Sequence, residues 1–94
     1  MVNRQRGEVL LEAGGEQYVL CLTLGALAEI ETLTGVSDLS EIGPKLAGLN
    51  AGGMLDLLSI LLRAGGNTVD ARQLSITPAR AARAIAQAFE AAAQ

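Results

Sequence analysis

Glu8-Val9-Leu10-Leu11-Glu12-Ala13-Gly14-Gly15-Glu16-Gln17-Tyr18-Val19-Leu20-Cys21-Leu22 is the stretch that decides the fold. Two short apolar runs flank a pair of glycines, and glycine reaches the positive φ that a tight hairpin turn demands. Two antiparallel strands around Gly14-Gly15 are therefore expected. In the first run Val9, Leu11 and Ala13 alternate with Glu8, Leu10 and Glu12, so one face is uniformly apolar and the other mixed. An isolated hairpin is marginal in water, so the apolar face must pack against the rest of the chain.

Beyond Leu22 the pattern turns helical. Thr23 precedes Leu24-Gly25-Ala26-Leu27-Ala28-Glu29-Ile30-Glu31-Thr32-Leu33-Thr34 and Gly35 closes it, which reads as an N-cap, three turns and a glycine C-cap. Leu24, Leu27, Ile30 and Leu33 are expected to form its buried stripe. Glu29 and Thr32 should face water, with Glu31 at the border of the stripe. A second helical stretch, capped by Ser37 or Asp38, runs through Leu39, Ile42, Leu46 and Leu49, with a kink or restart at Pro44.

A third helix should start near Gly52 or Gly53 and end at Gly65-Gly66. It is aliphatic around most of its circumference, since its only polar residues, Asp56, Ser59 and Arg63, recur at three and four on one narrow stripe. Such a helix is either the centre of the core or the bearer of a second apolar face. After Asn67 a short connection leads through Val69 and Asp70 to Leu74 and Ile76. Thr77-Pro78 then opens the last helix, with threonine as N-cap and proline at the first position. Its apolar face is expected over Ala79, Ala82, Ile85, Ala86, Phe89 and Ala93, opposite Arg80, Arg83, Gln87, Glu90 and Gln94. The expected architecture is therefore α+β, mainly α: an N-terminal β-hairpin over 7–22 packed on a bundle of about four helices over 23–94. All of it forms a single domain, with residues 1–6 flexible.

Composition narrows the function. Ten acidic and seven basic side chains give a formal charge of −3, which argues against a general nucleic-acid binder. No apolar run reaches the roughly 18 to 20 residues of a membrane span, and Met1 to Gly7 lacks the apolar segment of a secretory signal. A cytoplasmic location is expected. Cys21 is the sole cysteine, so no internal disulfide can form, and it reads as a small core residue. There is no histidine, hence no commonest general base or metal ligand. Glu29 and Glu31 lie on different sides of their helix, and Asp56 has no acidic neighbour one turn away. The paired glycines match no phosphate loop, and Ser40, Ser59 and Ser75 have no base partner beyond carboxylates. No catalytic residue, metal or cofactor is expected, and an enzyme is the least favoured reading.

Surface for other proteins remains. The aliphatic helix carries more apolar side chains than a short chain's own core demands, so Leu57, Leu58, Leu61 and Leu62 are candidates for a partner-binding groove. Arg80 and Arg83 are candidates for its polar rim, against the plainer readings of a core helix and solvated arginines.

Asn3-Arg4-Gln5-Arg6-Gly7-Glu8-Val9, the hairpin, and Leu22-Thr23-Leu24-Gly25-Ala26-Leu27-Ala28-Glu29-Ile30-Glu31 resemble the start of the gene transfer agent family of phage-type tail proteins. Leu61-Leu62-Arg63-Ala64-Gly65-Gly66 and the alanine-rich end with Ala88-Phe89 are similar as well. The resemblance covers nearly the whole chain and implies a tail-module protein, either a tube component or a tail assembly chaperone that coats the tape-measure protein until tube subunits polymerise around it. Two short strands favour the chaperone, because a tube subunit needs a larger sheet to build a ring. The implied partners are the tape measure and tube subunits, with a homo-oligomer open. The alternative is a structural part such as a tube, terminator or connector subunit kept in the particle. A small regulatory module is disfavoured by the acidic charge and by the lack of a recognition helix.

Overall fold

The structure is a computed structural model that describes residues 7–35, 41, 45 and 48–93. Strands β1 (Glu8–Ala13) and β2 (Glu16–Cys21) pair antiparallel, with Val9 opposite Leu20 and Leu11 opposite Tyr18. Gly14 and Gly15 both have positive φ, 59° and 82°, the conformation that matches a two-residue turn to the twist of its strands. The alternation read from sequence is what the fold uses: Val9, Leu11 and Ala13 are buried, while Leu10 and Glu12 are exposed.

Three α-helices come next among the described residues: α1 (Leu24–Thr34), α2 (Ala51–Ala64) and α3 (Pro78–Ala92). A single 3₁₀ turn, Ala71–Gln73, lies between α2 and α3. The architecture is α+β and mainly α, with three helices traced in full among the described residues where about four were expected over the chain, and Glu41 and Lys45 are helical as well. The expected stretch through Leu39, Ile42 and Leu46 lies outside the described residues, as do residues 1–6 and Gln94. Leu49, at its end, is partly buried against the core.

Each helix starts on a side-chain oxygen that accepts an otherwise unpaired backbone N–H. Thr23 accepts from Ala26 at 3.0 Å, Asn50 from Gly53 at 2.8 Å and Thr77 from Arg80 at 3.3 Å. Asn50 moves the start of α2 to Ala51, ahead of the expected Gly52 or Gly53. Gly35, at φ 75°, closes α1. At the end of α2, Asn67 N–H donates to the Leu62 carbonyl and Gly66 N–H to that of Arg63, with Gly66 at φ 92°. This is the paired closure that a left-handed glycine permits.

Helix α2 is the hub. It packs against β2, α1, α3 and the 3₁₀ turn, and Leu57, Leu58, Leu61 and Leu62 are 0% exposed. Its outward side is the expected polar stripe of Asp56, Ser59 and Arg63. The Ser59 hydroxyl donates to Asp70 Oδ1 at 3.4 Å and accepts from Ala71 N–H at 3.1 Å, which fastens the 3₁₀ turn to the helix.

Two helices are rotated from their expected orientation. In α1 the buried residues are Ala26, Ile30 and Thr34, whereas Leu24 is 84% and Leu33 38% exposed. A stripe spaced by threes falls back about 60° per step on a helix of 3.6 residues per turn, so Leu24 and Leu33 lie half a circumference apart. Ile30 fixes the face, and Thr34 is tolerated there because its hydroxyl donates to the Ile30 carbonyl at 2.9 Å. In α3 the buried residues are Ala81, Ala84, Ile85, Ala88 and Ala91, while Ala79, Ala82, Ala86 and Ala93 are exposed. Alanines flank the polar arc of Arg80, Arg83, Gln87 and Glu90 on both sides, so periodicity alone leaves two possible faces. Packing against β1 selects the second, and Ile85 belongs to both.

Candidate partner-binding surfaces

The four leucines singled out as an apolar groove hold the protein's own elements together. They sit beneath the hairpin, α1 and α3, and with no exposed area they offer nothing to a partner in this folded chain. Burying one leucine side chain contributes about 1.5–3 kcal/mol, which is the stabilisation each of these four supplies to a small core. Arg80 and Arg83 lie elsewhere, on the exposed side of α3, so the structure does not bring the two sets into one surface.

Concave regions among the described residues lie elsewhere. The first is an apolar notch of about 180 Å³ between the N-terminal ends of α2 and α3, walled by Ala51, Met54, Leu55, Ile76, Pro78 and Ala81. Leu58 forms its floor. Met54 and Leu55 are partly buried, so they are the aliphatic groups of α2 that do reach the surface. The second is a polar furrow between α1, α2 and the 3₁₀ turn, crossed by Arg63–Glu29 at 3.1 Å and Arg72–Asp56 at 3.3 Å. Both pairs are about half exposed, and each contributes little to stability in high-dielectric surroundings.

The third is a groove of about 310 Å³ between β1 and α3, lined by Leu10, Leu11, Glu12, Arg80, Arg83, Ala84 and Gln87. It opens at Glu12 and Arg80 into a hollow around the hairpin tip. The Arg80 guanidinium donates to the backbone carbonyl of Glu12. On the far side of the hairpin, Asn67 Nδ2 donates to the Val19 carbonyl at 2.6 Å and to the Leu62 carbonyl at 3.0 Å, so one side chain joins β2 to the end of α2. A Cβ placed on Gly65 would lie 2.0 Å from the Val19 oxygen. Glycine is required there for the approach of α2 to β2, although its φ of −82° is ordinary.

Sequence reasoning missed Asn67, Gly65, Leu10 and Gln87. The first two carried a signal, because Gly-Gly-Asn after an aliphatic helix is a typical C-cap sequence. For Leu10 the alternation with Val9 and Leu11 already placed it on the outward face, but not beside α3. Among the described residues no group of three His, Cys, Asp or Glu side chains is placed to hold a metal ion, and no helix is long and apolar enough to cross a membrane.

A β-hairpin packed on helices, with shallow grooves between its elements, defines a small α+β protein that is mainly α. Residues 6–94 match the family described as phage tail tube protein, GTA-gp10, and the chain belongs to this gene transfer agent family of phage-type tail proteins. Searches of curated proteins and of solved structures give no match.

Proposed function

We propose that this tail protein is a non-enzymatic assembly chaperone, which shields apolar stripes of the tape-measure protein until tube subunits polymerise around it. The supporting observation is the size and closure of its sheet. Only two strands are present among the described residues, and on the outer edge of β2 the Val19 carbonyl is taken by Asn67 and lies against Gly65. A wall of strands paired from subunit to subunit needs more free edge than that. The shielding surface is the notch at Met54 and Leu55, where an amphipathic helix of the tape measure would set one apolar side chain between these two. This replaces the buried leucines in that role.

A second reading, a structural tail component retained in the particle, is favoured by the family's description as a tail tube protein. Two measurements separate them. Co-expression with the tape-measure protein of the same tail module should raise its soluble yield and co-purify the pair, and mass spectrometry of finished particles should find this chain absent or far below tube stoichiometry. Unchanged tape-measure solubility together with stoichiometric presence in particles would establish the structural reading instead.

A further inference from the structure

We propose that the outer edge of β1 is a strand-addition site for an extended, acidic segment of a partner protein, with Arg80 and Arg83 reading its carboxylates. The backbone geometry supplies the pairing groups. A two-residue turn is closed by the hydrogen-bonded pair Ala13 and Glu16, and the alternation of an antiparallel ladder then turns the N–H and C=O groups of Leu10 and Glu12 away from β2. On β2 the Val19 carbonyl is already taken by Asn67 and lies against Gly65, so among the described residues β1 carries the more open edge. Leu10 is 43% exposed beside it. Arg80 donates to the Glu12 carbonyl, the position that an incoming strand's N–H would take.

Charge selects the occupant. Of the arginines among the described residues, Arg63 and Arg72 are paired with carboxylates, whereas Arg80 and Arg83 have no carboxylate partner. They stand one helical turn apart on the rim of the groove, in a chain whose net charge is −3. Two cations without a carboxylate partner along this strand edge fit a segment whose side chains facing α3 are acidic and whose alternate side chains, beside Leu10, are aliphatic. A second copy of this chain is a poor occupant. Antiparallel pairing of two β1 edges about Leu10 would set Glu8 of each copy opposite Glu12 of the other, and like charges directly opposite are destabilising. The site is independent of whether the protein leaves the tail or stays in it.

The test uses the full chain and a fluorescein-labelled peptide of alternating Glu and Val, titrated by anisotropy at about 50 mM salt so that screening is modest. Saturable binding is expected, with amide NMR shifts centred on Leu10 and Glu12. Replacing Glu by Gln in the peptide, or N-methylating its pairing-edge amides, should each weaken binding at least tenfold. Arg83→Glu should do the same with an unchanged circular dichroism spectrum, while Arg83→Lys retains most of the affinity. The proposal is overturned if the Glu/Val peptide does not bind saturably, if the N-methylated peptide binds equally well, if the shifts centre on Met54 and Leu55, or if sedimentation shows that the β1 edge is taken by a second copy.

Discussion

Replacing Gly65 with alanine should be among the most damaging single-methyl changes in this protein. The new Cβ would stand 2.0 Å from the Val19 carbonyl oxygen and 2.8 Å from its carbon, and both partners are backbone, so no side chain can swing aside. Helix α2 and strand β2 must separate by at least about 1 Å to reach tolerable contact. That shift stretches the Asn67–Val19 hydrogen bond, now 2.6 Å, beyond hydrogen-bonding distance. Overpacking costs about 1–3 kcal/mol and the lost bond about 0.5–1.5 kcal/mol, offset by about 0.4–1 kcal/mol from the stiffer unfolded chain. The net loss is about 0.5–4 kcal/mol, against a total stability on the order of 5–14 kcal/mol for a domain of this length. Thermal and urea unfolding followed by circular dichroism should show Tm lower by about 4–8 °C for each kcal/mol lost. Gly66→Ala is the control, because its added Cβ would meet nothing within 4 Å and its cost comes from φ 92° alone, about 1 kcal/mol. A Gly65→Ala protein within about 2 °C of wild type, or one more stable than Gly66→Ala, would refute the steric account.

Leu58→Ala, which empties a site with no exposure, should cost about 2–5 kcal/mol, whereas Leu24→Ala, at an 84% exposed position, should change stability by less than about 0.5 kcal/mol. Urea midpoints measure both. Thr23→Ala removes the acceptor for Ala26 N–H and should lower stability by about 1 kcal/mol, with Thr23→Ser restoring most of it. Breaking the exposed Arg63–Glu29 pair with Arg63→Met should shift stability by at most about 0.5 kcal/mol, and the difference should vanish in about 1 M salt.

Much of this fold was legible because particular residues leave few choices. Gly14-Gly15 between alternating runs, Thr23 with Gly35, and Thr77-Pro78 each impose a local geometry that no tertiary contact needs to decide. The polar stripe of Asp56, Ser59 and Arg63 likewise fixed the rotation of α2. Where side chains are nearly alike around the circumference, the sequence is silent. The alanines of α3 could face the core on either flank of the polar arc, and only its docking on β1 breaks the tie. The leucines of α1 misled for a related reason, since a spacing of three mimics a stripe while drifting around the helix. The candidate site shows the same division. Arg80 and Arg83 could be identified as an exposed pair, but their apposition to β1 joins residues far apart in sequence. The surplus of aliphatic residues in α2 could not reveal that a small core would enclose all four leucines, leaving Met54 and Leu55 at the surface.

Asn67 gives its one amide group to two carbonyls, Val19 on the hairpin and Leu62 on α2, across 48 residues of sequence. Lifting the hairpin breaks the Asn67–Val19 bond, and fraying of the helix from its C-terminal end displaces the residue that makes it. The two elements should open as one cooperative unit, so that amide protons in β2 and in the last turns of α2 exchange with solvent at the same free energy.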